Sequence, residues 1–142
     1  MKTKEKTLIE VRTIVKAPIK KVWKIWNTPR DIMKWNTALE TWHTVNATND
    51  LREGGKFSFR MEAKDGSTGF DFGGIYGKVV TYKQISSILG DGRKVNVTFS
   101  LKGNNTEIVE TFEAEDVNPV EMQRTGWQAI LNNFKKYTEE NK

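Results

Sequence analysis

Cysteine is absent from this 142-residue chain, and histidine occurs once. The first absence excludes disulfides and thiolate metal sites, and it favours an intracellular setting. The single imidazole, His43, has no second histidine with which to begin a zinc site. It follows Trp42 at an expected strand start, without an evident partner for acid–base work, and reads as structural or surface. Ser58, Ser67, Ser86, Ser87 and Ser100 lack the surroundings of a nucleophile elbow. Neither a metal site nor an assembled catalytic set is therefore expected.

Long apolar runs are missing too. Nothing approaches the roughly 20 residues that cross a bilayer, so no stable membrane insertion is expected. The opening "MKTKEKTLIEV" passes directly into a strand-like pattern, with no signal-peptide apolar core. A cytoplasmic protein is the expectation, and the Asn-x-Thr triplets at Asn46, Asn96 and Asn104 are then chance matches. Basic blocks are also lacking. The net charge is +5, but Lys and Arg are interleaved with carboxylates, as in "KEK", "REGGK" and "KKYTEENK". Such charge is a solvated surface rather than a phosphate footprint, and no nucleic-acid partner is expected. "REGGKF" lacks the Lys-Ser/Thr and helix of a phosphate loop, and "GGIYG" lacks the strand-to-helix setting of a dinucleotide fingerprint. No cofactor is implied.

What the chain does have is aromatic residues: five Trp, seven Phe and three Tyr. Its length suits one domain over residues 1–142, with no internal repeat or low-complexity linker. "TLIEVRTIVK" alternates as a half-buried strand, with Ile9, Val11, Thr13 and Val15 on one face. "APIKKVWKIWN" then switches to helical spacing through Ile19, Val22 and Trp26, after Pro18. A second, short helix follows with Thr28 as cap, Pro29 in its first turn and Asp31 completing a capping box, and it runs out near Trp35.

From about residue 42 the pattern is strands and turns. Phe57, Phe59 and Met61 alternate with polar residues before the turn "KDGS". Gly73, Gly74 and Gly77 in "FDFGGIYGKVV" predict a bulge or sharp bend. Val95, Val97, Phe99 and Leu101 alternate between the turns "GDGR" and "KGNN", and "TEIVETFEAE" forms the next strand. A last helix is predicted from about residue 119 to 139, capped by Asn118 with Pro119 and Glu121 behind it. Trp127, Ile130, Leu131, Phe134 and Tyr137 form its apolar stripe. The order is α+β: a strand, two short helices, a run of antiparallel strands, and a helix of roughly 30 Å that can lie across a whole curved sheet.

This order, and the segments "APIKKVWKIWNTPRDIMKW", "DLREGGKFSFRMEAKDG", "GGIYGKV", "DGRKVNVTF", "TEIVETFEAED" and "RTGWQAILNNFKKY", resemble the helix-grip (START-like, or SRPBCC) family. Within it the likeness is to proteins homologous to the C-terminal domain of the activator of the ninety-kilodalton heat-shock chaperone's ATPase, including small single-domain bacterial members. The resemblance implies a curved antiparallel sheet wrapped around the long C-terminal helix, with two short helices after the first strand and a cavity between sheet and helix. Relatives bind lipids, sterols, plant hormones or polyketides, and some are cyclases. The 142 residues carry no counterpart of the full activator's N-terminal domain, so the family name is read as kinship.

With such a cavity implied, the aromatic set has a second reading besides core packing. The candidates for the wall are Trp35, Trp42, Phe57, Phe59, Met61, Phe72, Tyr76, Phe99, Phe112, Trp127, Ile130 and Leu131, with Glu110 and Gln123 as polar members. Glu110 shares a face with Ile108 and Phe112; if that face is inward, desolvation raises its pKa, and if Val109 and Thr111 face inward, it is solvated. Gln123 either donates to a ligand at the cavity mouth or lies exposed on the helix. Gly126 would let sheet, loop or ligand approach the helix backbone closely. The expected function is binding of a small hydrophobic or amphipathic ligand. The alternatives are a co-chaperone acting on a heat-shock chaperone partner, and a cyclase- or hydrolase-type enzyme using a cavity carboxylate.

Overall fold

Alternation at the start of the chain becomes β1 (Leu8–Val15), with Ile9, Val11 and Val15 buried, in the computed structural model, which describes residues 7–141. Two short helices follow, α1 (Ile19–Asn27) and α2 (Pro29–Trp35), with Pro29 in the opening turn of α2. The capping box expected at Thr28 does not form. Only one residue separates the helices, so Thr28 ends α1 and begins α2 at once. Its hydroxyl donates to the Lys24 carbonyl at 2.6 Å, which closes α1 and leaves none to cap α2.

Six further strands complete the sheet: β2 (Trp42–Asn49), β3 (Lys56–Ala63), β4 (Gly69–Val80), β5 (Gln84–Leu89), β6 (Lys94–Lys102) and β7 (Asn105–Glu113). The order across it is β1-β7-β6-β5-β4-β3-β2, and every neighbouring pair is antiparallel. The sheet curls into a half-barrel around α3 (Val120–Glu140), which gives an α+β helix-grip fold. Turns fall where the glycines require them, with Gly66, Gly92 and Gly103 at positive φ between successive strands.

The glycines of β4 serve two purposes. The register shift against β5 lies between Tyr76 and Val79, next to Gly77, where the Lys78 amide donates to Ser86 Oγ at 2.7 Å. Gly73 and Gly74 sit earlier, in regular pairing, and their role is close approach. A Cβ on Gly73 would lie 2.5 Å from the Phe57 carbonyl oxygen, and one on Gly74 would strike that of Ile88. Leu101 also departs from expectation: Val95, Val97 and Phe99 are buried, but Leu101 is 68% exposed. There β6 has run out toward the Gly103 turn, past the packed layer.

An open sheet has two edges with unpaired backbone groups. Side chains of α3 occupy the β1 edge: Gln128 accepts from the Arg12 amide and donates to its carbonyl. Lys135 Nζ donates to the Ile14 carbonyl, and Glu139 accepts from the Lys16 amide, both at 2.8 Å. The last helix is thus anchored along β1, and its apolar stripe turns into the concave face of the sheet.

Candidate functional site

Beneath α3 the concave face does not fill completely. A cavity of about 220 Å³ remains between sheet and helix. β3 contributes Phe57, Phe59 and Met61 to its wall, and β4 contributes Phe70, Phe72 and Tyr76. Ile85, Ser87 and Leu89 of β5 and Val95 and Val97 of β6 line its floor, with Glu110 of β7 beside them. Trp127, Ile130 and Leu131 of α3 form the roof, and Trp26, Asn27, Trp35 and Asn36 close the end at α1 and α2. Phe59, Phe72, Trp127 and Ile130 are half-buried and Phe70 is exposed, so the cavity reaches solvent between β3–β4 and the helix.

The aromatic rings hold one another in place. Phe57 lies 4.8 Å from Tyr76 and 5.5 Å from Phe59, centroid to centroid. Trp127 stacks on Phe112 at 3.8 Å and meets Phe72 edge-on at 6.0 Å. Trp35 donates from its indole nitrogen to the Ile25 carbonyl at 3.2 Å, which fixes the ring at the helical end. The Tyr76 hydroxyl donates to Asn49 Oδ1, and Asn49 donates in turn to the Asn27 carbonyl at 2.8 Å. Burial holds the Tyr76 phenol well above its ordinary value, with the Asn49 bond opposing this in part.

Glu110 resolves the register question. It pairs with Val11 on one side and Val97 on the other, both buried, so the face that carries Ile108 and Phe112 is inward and Glu110 lies on it. Its remaining accessible surface is cavity wall. Desolvation pushes its carboxyl up from 4.5 to about 8. Among the described residues it has neither a hydrogen-bond nor an ion-pair partner. The Ser87 hydroxyl, two strands away, is likewise unpartnered. No lysine, arginine or histidine stands on the wall, and no metal-binding group of His, Asp or Glu occurs among the described residues.

Several residues expected on the wall stand elsewhere. Trp42 packs outside against Phe70, at 5.9 Å, because it begins β2, which contributes nothing to the cavity. Phe99 points toward α1, in edge contacts with Trp23 at 5.2 Å and Trp26 at 5.6 Å. Phe112 is fully buried beneath Trp127 and has no open space beside it. Gln123 is buried but serves the loop before α3: it accepts from the Glu115 amide at 2.9 Å and donates to the carbonyls of Glu115 and Asn118. The side-chain cap expected from Asn118 does not form, and the helix starts behind Pro119. Gly126 does not mark a close approach, because a Cβ there would meet nothing within 4 Å. His43 is exposed on β2, remote from the wall.

Other wall residues carry a sequence pattern that does not separate cavity wall from packed core. Val95 and Val97 alternate with Phe99, and Trp26 continues the helical spacing of Ile19 and Val22. Asn27 and Asn36, at helix ends, carry no sequence signal.

Comparison with known proteins agrees with this architecture. A family model described as activator of Hsp90 ATPase homolog 1-like protein matches residues 16–139. The solution structure of an AHSA1-like protein from Aeromonas hydrophila is 41% identical, covers 94% of this chain and 92% of its own, and superposes with a TM-score of 0.88. A protein from Cytophaga hutchinsonii is 54% identical over 96% of this chain and 93% of its own, with a TM-score of 0.79. A crystal structure from Nitrosomonas europaea, at 16% identity, shares the fold over both whole chains with a TM-score of 0.82. No curated protein matches. Sequence, sheet and helix together place the chain in the family of activator of Hsp90 ATPase homolog 1-like proteins.

Proposed function

We propose that the chain acts as one helix-grip unit that binds a small hydrophobic or amphipathic molecule in the cavity beneath α3. The observation that carries this reading is the cavity itself, about 220 Å³, walled by aromatic and aliphatic side chains around one unpartnered carboxyl group. A dry engineered cavity of roughly 150 Å³ takes a benzene ring, so this one has room for a ring with a short tail. Burying roughly 200 Å² of apolar ligand surface contributes about 5 kcal/mol before ordering costs, which by itself corresponds to a dissociation constant of about 0.2 mM. Glu110 and Ser87 supply the polar contacts that set orientation.

Native mass spectrometry of freshly purified protein, with identification of any bound small molecule, tests the reading directly. Val95→Phe places a ring into the space, and its fold is checked by circular dichroism. The expected result is a bound species lost in that variant. A species retained unchanged in folded V95F protein sits elsewhere and would overturn the proposal.

The family name supports a second reading, stimulation of a heat-shock chaperone's ATPase. It predicts a rise in the cognate chaperone's turnover on titration with this chain, and unchanged turnover with no co-purification counts against it. An enzymatic reading has less support. Glu110 has no converging base, Tyr76 is occupied by Asn49, and His43 is outside the cavity.

A further inference from the structure

The charge inventory of the cavity narrows the class of ligand. Among the described residues the wall carries one carboxyl group and no cationic side chain. A fatty acid or other anion placed with its head group inside would find no counter-charge and would face Glu110. An uncharged hydrocarbon would leave both Glu110 and Ser87 without partners. Beside aliphatic side chains such as Ile85, Leu89 and Val97, the wall carries the aromatic rings of Trp26, Trp35, Phe57, Tyr76 and Trp127, and aromatic rings attract cations.

We propose that the cavity selects a hydrophobic molecule bearing one protonated amine, set against the Glu110 carboxylate and among the aromatic rings. This inference rests on the cavity-binding reading above and adds the chemistry of the head group. Ser87 lies two strands from Glu110 and one pleat step along, since Ser87 pairs with Val95 and Glu110 with Val97. By strand spacing their Cα atoms are roughly 12 Å apart, so a second polar group a short chain away from the amine meets the hydroxyl.

Proton linkage follows from the same arrangement. Glu110 titrates at about 8, so in the empty cavity at neutral pH it is mostly protonated. Docking an ammonium draws the carboxyl down into its charged form and releases a proton. The neighbours that face Glu110 do not share the titration. Val11 from β1, Val97 from β6 and the α3 roof of Trp127, Ile130 and Leu131 carry no charge, and Tyr76 on β4 is held high by burial.

Three probes with one skeleton separate the possibilities: phenylbutylammonium, phenylbutanol and phenylbutanoate. Isothermal titration at pH 7, in two buffers of different ionisation enthalpy, gives affinity and proton release for each. The expected order is ammonium, then alcohol, then carboxylate, with release of up to one proton for the ammonium alone. Glu110→Gln is expected to weaken the ammonium by about 10- to 100-fold, leave the alcohol within a few-fold, and abolish proton release. If the alcohol or carboxylate binds as tightly as the ammonium, or E110Q leaves the ammonium unaffected, the amine inference falls while cavity binding stands. If no probe binds and V95F changes nothing in native mass spectra, the cavity reading itself falls and takes this inference with it.

Discussion

The two ends of the sheet are packed differently. Around β1, β7 and the far half of α3 the interior is solid: Ile9, Val15, Val22, Ile108, Phe112 and Phe134 have no accessible surface at all. Around β3, β4 and β5 no wall residue reaches that state, and Phe57, Met61 and Tyr76 keep 7–8% exposure. The same helix serves both ends. Phe134 interlocks with Trp26 and Trp35 at 4.9 and 5.0 Å, while one helical stretch earlier Trp127 lies on Phe112 and roofs open space. The packed end thus supplies the rigidity, and the other end can keep a void, bordered by the unpaired carboxyl group of β7, within a marginal total stability.

Substitutions test this contrast. The largest effect is expected in the solid half, where Phe134→Ala deletes a fully buried ring and should cost about 3–5 kcal/mol by urea denaturation. Next comes the Glu110 carboxyl group, which β7 turns into the cavity. Its folded value is raised, so between pH 4.5 and about 8 the folded chain holds a proton that the unfolded chain has lost. Stability from Glu110 is therefore full below 4.5, declines through that window by on the order of a few kcal/mol, and is level above it. Denaturation midpoints measured across this range should show the decline in the wild type. The component should vanish in Glu110→Gln, and a parallel decline there would remove Glu110 as its source.

A matched pair of overpacking changes is expected to have the next effect. Val22→Phe in the solid half should cost about 1–3 kcal/mol or more, because the added ring has nowhere to go. Val95→Phe, directed into the void, should cost less than about 1 kcal/mol. Similar costs for the two would erase the distinction between the ends. The smallest effect belongs to Gly126→Ala on α3. A Cβ there touches nothing, so helix propensity alone should raise stability by roughly 0.5–1 kcal/mol in thermal unfolding. A loss instead would reveal a contact above the cavity.

Much of the fold was legible because it follows from short-range rules. Period-two alternation placed Val95, Val97 and Phe99 on one strand face, and glycine at "KDGS", "GDGR" and "KGNN" placed the turns. Caps were less legible, for a definite reason. Thr28 and Asn118 have the right side chains, but the Thr28 hydroxyl is spent on the Lys24 carbonyl of the preceding helix, and α3 starts behind Pro119 with no side-chain cap. Gln123 itself looked like a ligand donor in one dimension. It serves the loop because the chain between β7 and α3 folds back over the first helical turn.

The site shows the same division. Local sequence determined that the chain makes one strand, two short helices, a run of antiparallel strands and a long amphipathic helix, and that aromatic residues are plentiful. It also reduced Glu110 to two possibilities, inward or outward. Only the tertiary pairing with Val11 and Val97 chose between them, because a single-residue slip would turn the whole strand over. Likewise only the three-dimensional curl decided that Phe112 and Phe99 fill space while Phe57 and Phe59 border a void. Burial is a property shared by both sets, and it follows from alternation. Emptiness depends on how far apart the sheet and helix come to rest, and no local pattern encodes that distance.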